Sequence, residues 1–160
     1  MLRSATYRCC VAFPLGIVAC GLSATTIEPI EFTQSVFGRT VRLQVLDPQS
    51  DGSDPMHELE RQLHRGAKPG GKTYHVLVAV YDDATKRRSA DVESVTVTVA
   101  DGHGRTTARL DPMAADGEVG YGNYFDFGAQ GPYRILVAVL LHGQSLPLNS
   151  EFELAHLPDS

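Results

Sequence analysis

A chain of 160 residues with 42% hydrophobic and 21% charged residues is long enough for one globular domain, and two domains are not expected. Fourteen basic and 19 acidic residues give a formal net charge of -5, and no basic cluster is longer than Lys86-Arg87-Arg88, so a nucleic-acid-binding protein is excluded. All cysteines lie near the start, at Cys9, Cys10 and Cys20. Disulfides, cysteine-ligated zinc and a thiol nucleophile are therefore excluded from the rest of the chain.

The first 24 residues have the organisation of an export signal. Arg3 and Arg8 supply a positive flank, and residues 9–19 form an apolar run far shorter than the roughly 20 residues that span a bilayer. A basic flank, a short apolar core and a small-residue exit follow one another in the order that favours a signal peptide over a buried strand or helix. We therefore predict a signal peptide over residues 1–24 and a periplasmic or otherwise exported protein.

Two cleavage sites compete at the end of this segment. Leu22-Ser23-Ala24 has the small residues that ordinary signal peptidase requires, and it is slightly favoured. Ile17-Val18-Ala19-Cys20 resembles a lipobox, in which Cys20 would be lipidated. The alternatives are a free exported protein and one that touches the membrane only through a lipid anchor at Cys20.

Residues 25–160 have the pattern of a single all-β domain. Residues 94–100 alternate valine with threonine, which is typical of a strand with one solvent-exposed face, and residues 74–81 form the near-continuous apolar run of a central strand buried on both faces. Further strands are predicted over residues 40–47, 105–110, 121–127, 133–141 and 151–154. About seven strands at short spacing, with one short helix, predict an immunoglobulin-like β-sandwich.

An insertion of loops around this short helix is predicted over residues 48–73. Asp54 suits the N-cap of a helix over residues 55–65, and Gly66 can end it. Two leucines four residues apart share one face of that helix. We therefore expect the helix to pack on the sheet. The next connection with a clear turn signal is Asp101-Gly102, where a hairpin turn with positive φ is expected.

Catalytic motifs are absent from the sequence. There is no Gly-x-Ser-x-Gly elbow, no phosphate-binding Walker loop and no dinucleotide-binding glycine pattern after a strand. His57-Glu58 begins like a zinc-protease helix, but Arg61 stands where the second histidine would be needed. No nucleophile and base can be paired, so we do not expect an enzyme.

Histidine and methionine side chains are the remaining candidates for chemistry. His75 interrupts an apolar strand, where a buried imidazole needs a hydrogen bond or a ligand role. Met113, expected in a loop, carries a thioether, which is a soft ligand suited to copper(I). His57 and His64 share one face of the predicted helix but lie roughly 10 Å apart along its axis, too far to hold one ion together. In the alternative reading, His75 and Met113 are core residues and the helix histidines are solvent-exposed.

A family resemblance lies in residues 111–133. Pro112-Met113, Asp116-Gly117, Tyr121-Gly122 and Gly131-x-Tyr133 stand in the order of a Met-Pro-Met, Asp-Gly, His-Tyr-Gly and Gly-x-Tyr pattern. This pattern resembles that of periplasmic high-affinity iron-transport proteins, which are copper- and iron-binding β-sandwich partners of ferrous permeases. The chain is also similar to uncharacterised exported proteobacterial proteins, so the resemblance implies a divergent branch.

The resemblance implies a ligand set and also shows where this chain departs from it. Met113 matches the metal-binding Met of the family motif, and His75 is similar to the His of a His-x-Glu pair on an earlier strand. Leu77 stands where the Glu of that pair would be, and Gly120 stands where the His before Tyr121 would be. Copper or iron is usually held by three or more side chains. His57 or His64 is therefore expected to complete the set.

The sequence thus predicts an exported, non-catalytic protein that binds a copper or ferrous ion in metal uptake or handling. The resemblance implies a membrane ferrous permease as its partner. The alternative is an exported immunoglobulin-like interaction module with no metal site, in which the aromatic residues of 121–127 pack a core or an interface. Because Tyr121, Tyr124 and Phe127 do not share one strand parity, a β-bulge is expected near Gly122-Asn123.

Overall fold

The computed structural model describes residues 30–47, 73–115, 118–128 and 131–157. These residues form nine strands: β1 (Ile30–Val36), β2 (Arg39–Leu46), β3 (Thr73–Asp82), β4 (Val92–Ala100), β5 (Arg105–Arg109), β6 (Asp111–Ala115), β7 (Glu118–Asp126), β8 (Tyr133–Leu141) and β9 (Leu148–Leu154). Within these ranges no helix is long and apolar enough to cross a membrane.

The strands form two antiparallel sheets. A five-stranded sheet has the order β1-β2-β3-β7-β6, and a four-stranded sheet has the order β5-β4-β8-β9. The chain passes from one sheet to the other between β5 and β6 at Leu110, whose side chain is buried in the core. The all-β sandwich predicted from the sequence is therefore confirmed.

The hydrophobic core lies between the sheets and takes alternate residues from strands of both sheets. Its members on the inner strands β3 and β8 are Tyr74, Val76, Val78, Val80, Tyr133, Ile135, Val137, Val139 and Leu141. Burying one such valine or isoleucine side chain stabilises the fold by about 1.5–3 kcal/mol relative to leaving it exposed. Because successive side chains of a strand point to opposite faces, His75 and Leu77 on β3 point away from this core.

All seven predicted strands are present, and two further strands were not predicted. The first is β1, and the second is β6, which places Met113 on a strand, so the prediction of a loop there was wrong. Proline lacks an amide hydrogen and argues against an interior strand, but β6 lies at the edge of its sheet, where Pro112 is tolerated.

The predicted β-bulge near Gly122-Asn123 was also wrong. The register between β3 and β7 runs without a break from the pair Thr73 and Asp126 to the pair Val78 and Tyr121. The aromatic residues differ in parity because Tyr121 and Phe125 face the core while Tyr124 faces the opposite side of the sheet.

The hairpin turn between β4 and β5 is present but has a different basis from the one expected. Gly102 does not adopt a positive φ. Instead, the backbone amides of His103 and Gly104 each donate a 2.7 Å hydrogen bond to Asp101 Oδ1. These hydrogen bonds lower the pKa of the Asp101 carboxyl, because they favour its ionised form.

Several sequence predictions lie outside the described residues. They are the signal peptide over residues 1–24 with its two cleavage sites, the helix over residues 55–65, and the two histidines His57 and His64. Their placement relative to the sandwich therefore stays a prediction.

Candidate metal centre

The candidate site lies on the outer face of the five-stranded sheet, opposite the core. His75 on β3 and Met113 on β6 are nevertheless both buried, with 1% and 5% of their surfaces exposed. Neither belongs to the cluster of apolar residues between the sheets. An imidazole and a thioether are therefore held out of water on a face that the core does not use.

Strand register brings these two side chains together. Strand β7 separates β3 from β6 and pairs with both. His75 is opposite Tyr124, Leu77 is opposite Gly122, and Met113 is opposite Gly120. His75 and Met113 therefore flank Gly122 diagonally, from one strand on either side of it, and residues at such diagonal positions are within reach of long side chains.

The two potential donor atoms, Met113 Sδ and His75 Nε2, converge over Gly122. A Cβ atom at this position would lie 2.5 Å from Met113 Sδ and 2.7 Å from His75 Nε2, so these two atoms are at most about 5 Å apart. Metal bonds of about 2.1 Å to nitrogen and about 2.3 Å to sulfur span at most about 4.4 Å. A small rotation of either side chain would therefore let both atoms contact one ion.

Two neighbours shape the surroundings of the donor pair. The ring of Tyr124 lies against the His75 imidazole, with centroids 4.8 Å apart and planes tilted by 35°. Leu77 Cδ2 would lie 2.9 Å from the same Cβ position on Gly122. Tyr124 restricts the rotation of the imidazole, and Leu77 places an apolar group where the resemblance would have a carboxylate.

Gly120, where the resemblance would have a histidine, is surrounded by more space than Gly122. Among the described residues, a Cβ atom at Gly120 would meet only the Val78 carbonyl oxygen, at 3.8 Å, which is an ordinary van der Waals contact. The backbone at Gly120 can therefore carry a side chain, although this chain has none there.

A basic group on the same face of this sheet is already paired. Arg42 on β2 forms a salt bridge with Glu31 on β1. The hydrogen bond between the two side chains raises the pKa of Arg42. Together with a hydrogen bond from Gln44, it lowers the pKa of Glu31. The charge of Arg42 is thus compensated locally by that of Glu31.

The other described histidines do not join the site. His103 lies at the hairpin between β4 and β5, His142 follows β8 with its Nδ1 3.8 Å from Glu93, and His156 follows β9. All three are exposed. In the described part of the chain, no group of three or more His, Cys, Asp or Glu residues lies close enough to hold a metal ion. The structure brings His75 and Met113 together, whereas His57 and His64 lie outside the described residues. A ligand role for any of the four stays a prediction.

Sequence reasoning missed two positions at this site, Gly122 and Asp111. Asp111 is the cross-strand partner of Gly122, so its side chain starts on the same face as those of His75 and Met113. The spacing Asp111-x-Met113 is the signal that could have revealed it, because alternate residues of a strand share a face. That signal was lost when this segment was interpreted as a loop.

Comparisons with known proteins give structural neighbours only. No protein-family model matches the sequence, and no curated protein matches it. The matching solved structures include FetP of uropathogenic Escherichia coli strain F11, recombinantly expressed in the periplasm, with 14% identity and a TM-score of 0.55; the match covers 81% of this chain and 97% of that one.

Two further solved structures match over similar lengths. A copper-bound variant of the same FetP has 12% identity and a TM-score of 0.53, with 81% of this chain and 97% of that one covered. A DUF4426 family protein from Pseudomonas aeruginosa PAO1 has 15% identity and a TM-score of 0.54, with 79% and 95% covered. The predicted resemblance is confirmed as a likeness of fold, and the low identity agrees with a divergent branch.

Proposed function

We propose that this protein is an exported, non-catalytic metal-binding protein that holds a copper ion with His75 and Met113 and passes it on or stores it. The convergence of Met113 Sδ and His75 Nε2 over Gly122 carries the proposal. A thioether is a soft donor that selects copper(I), and an imidazole is a donor that suits copper in general. A copper-bound FetP variant among the structural neighbours supports copper, and ferrous ion is the alternative cargo.

Export and partnership are parts of the same proposal. The signal-like first 24 residues support export, and a structural neighbour produced in the periplasm agrees with it. The resemblance of residues 111–133 to iron-transport proteins supports a membrane ferrous permease as the partner. Mass spectrometry of the protein purified after export distinguishes cleavage after Ala24 from lipidation at Cys20.

Calorimetric titration of the exported protein with copper(I), copper(II) and iron(II) tests the proposal. We expect saturable binding of one copper ion per chain, weakened about tenfold or more by Met113→Leu and by His75→Gln, which corresponds to about 1.4 kcal/mol or more. Met113→Leu keeps the buried volume while removing the sulfur. Cys20→Ser serves as the background, because it removes the cysteine that lipobox processing would lipidate, and with it a second sulfur atom near the start of the exported chain.

His103→Gln is the matched control for the titration, since His103 is exposed at the hairpin between β4 and β5, which belong to the other sheet from β3 and β6. Equal losses in His103→Gln and His75→Gln would mean that binding is a general property of surface histidines. Saturable binding of iron(II) but not of copper would replace copper by ferrous ion as the cargo. No saturable binding of any of the three ions would refute the proposal.

A second candidate function, an interaction module, is favoured by a different observation. Phe37 and Leu146 are exposed by 90% and 78%, and both line a surface cavity of about 580 Å³ together with Leu141 and Leu148. Exposed apolar groups around one concavity are typical of protein docking sites. The aromatic residues that the interaction hypothesis invoked do not form this surface. Tyr121, Phe125 and Phe127 are buried in the core, and Tyr124 lies against His75 on the outer face.

A further inference from the structure

The edge strand β6 brings a third potential donor to the site. Asp111 and Met113 are two residues apart on β6, and they pair with Gly122 and Gly120 on the same neighbouring strand. Directly opposed residues of antiparallel strands have Cβ positions about 4.5–5.5 Å apart. The carboxylate of Asp111 thus starts about one side-chain length from the position where Met113 Sδ and His75 Nε2 converge.

The position of Asp111 is open on one side. The side chain is exposed while Met113 on the same strand is buried. A carboxylate at the rim can therefore approach an ion from the solvent side, and the thioether and imidazole approach from the protein side. Among the described strands, none lies beyond β6 in this sheet, so Asp111 has no neighbouring strand on its outer side.

The chemistry of the three donors differs in a way that matters for copper. A thioether suits copper(I), an imidazole suits either oxidation state, and an oxygen donor beside the imidazole suits copper(II). Leu77 contributes only an apolar group at Gly122, so the neighbouring β3 position supplies no oxygen. Without an oxygen donor, the pair His75 and Met113 would favour the reduced ion alone.

We infer that Asp111 is a third ligand of the site and that its carboxylate allows the site to hold copper(II) as well as copper(I). This inference rests on the proposed function, since it requires that His75 and Met113 bind copper. It adds a carboxylate from β6 in place of the one that β3 lacks at Leu77. The site is then described as one nitrogen, one sulfur and one oxygen donor around Gly122.

Asp111→Asn, titrated with copper(I) and copper(II), tests the inference. The substitution keeps the size of the side chain and removes its charge, and we expect the copper(II) affinity to fall about tenfold or more while the copper(I) affinity changes less than about threefold. Asp111→Glu retains a carboxylate and should keep the copper(II) affinity within about threefold of the original. The copper(II) electron paramagnetic resonance spectrum should change in Asp111→Asn and stay unchanged in the control variant Asp126→Asn.

Asp126→Asn is the matched control, because Asp126 is an exposed aspartate on β7 that shares the strand parity of Gly122. An equal loss in Asp126→Asn would show a general charge effect and overturn the inference. Unchanged copper(II) affinity and spectrum in Asp111→Asn, with the effects of His75→Gln and Met113→Leu intact, would overturn the inference and leave the proposed function standing. Absence of copper binding in the original protein would overturn both.

Discussion

Met113 Sδ and His75 Nε2, from strands on either side of β7, converge over Gly122, which has no side chain. This relationship predicts that Gly122→Ala damages the site. Its Cβ would lie within 3 Å of three side-chain atoms, so Met113, His75 and Leu77 would all have to move. We expect a loss of about 1–3 kcal/mol in the free energy of unfolding, measured by urea denaturation, together with loss of copper binding.

Gly120→Ala is the control for this prediction. It lies two residues away on the same strand, and its Cβ would make one ordinary contact with the Val78 carbonyl. Glycine in a strand is less favourable than alanine by roughly 0.5–1 kcal/mol, so the control should be as stable as the original protein or slightly more stable. Equal destabilisation by both substitutions would show that Gly122 has no special role.

Restoring the carboxylate and the imidazole that the family pattern has and this chain lacks should strengthen the site. Gly120→His has space for its Cβ atom, and Leu77→Glu would place a carboxylate beside His75 Nε2 and Met113 Sδ. We expect each to raise copper(II) affinity about tenfold or more, because each adds a hard or borderline donor. Calorimetric titration measures this change.

The same two variants should differ in stability without metal. Leu77→Glu places an ionisable group at a partly buried position, which lowers the free energy of unfolding unless a cation compensates the charge. Copper should therefore raise the melting temperature of Leu77→Glu more than that of the original protein. A gain in affinity from neither variant would mean that copper, if bound, does not lie over Gly122.

Asp101 provides a prediction on pH. Hydrogen bonds from the amides of His103 and Gly104 lower the pKa of the Asp101 carboxyl. Its ionised form therefore stabilises the fold at pH values above the ordinary pKa of 3.8. That contribution is lost as the pH falls through the lower pKa of the folded protein. Asp101→Asn should therefore be less stable than the original at pH 7, and the difference should shrink below pH 3.8. Urea denaturation at several pH values measures it, and a pH-independent difference would contradict the explanation.

Phe37 provides a prediction about the interaction surface. Phe37 and Gly38 connect β1 and β2 with φ values of 46° and 77°, a two-residue turn in which asparagine is strongly preferred at the first position. Phe37 is 90% exposed, so its replacement loses little burial, and asparagine tolerates the left-handed conformation better. Phe37→Asn should therefore leave the free energy of unfolding unchanged or raise it by up to about 1 kcal/mol. A loss above about 1 kcal/mol would show that Phe37 stabilises the fold and is not available for docking.

Much of the fold could be predicted from the alternation of side chains. The seven predicted strands follow from apolar residues at period two, as in β4, or from the continuous apolar run of β3. Strand β1 was missed because Gln34 stands among its core-facing residues. The Gln34 side chain connects the two sheets at the edge of the sandwich, where Gln34 Oε1 accepts a 3.2 Å hydrogen bond from the Glu151 amide.

The candidate site was predictable only in part, because it depends on register between strands distant in the sequence. His75 stood out as a polar residue in an apolar strand, and Met113 stood out through the family resemblance. No pattern in the sequence indicates that Leu77 is opposite Gly122 or that Asp111 pairs with the same glycine. A one-residue shift of β7 would move every one of its side chains to the other face.

X-ray absorption of the copper(I)-loaded exported protein tests the central claim most directly. In the Cys20→Ser background, we expect one sulfur neighbour at about 2.3 Å and at least one imidazole nitrogen at about 2.0 Å from the metal. The sulfur signal should disappear in Met113→Leu, and the imidazole signal should fall in His75→Gln. A copper(I) spectrum that keeps its sulfur neighbour in Met113→Leu would contradict the assignment of this site.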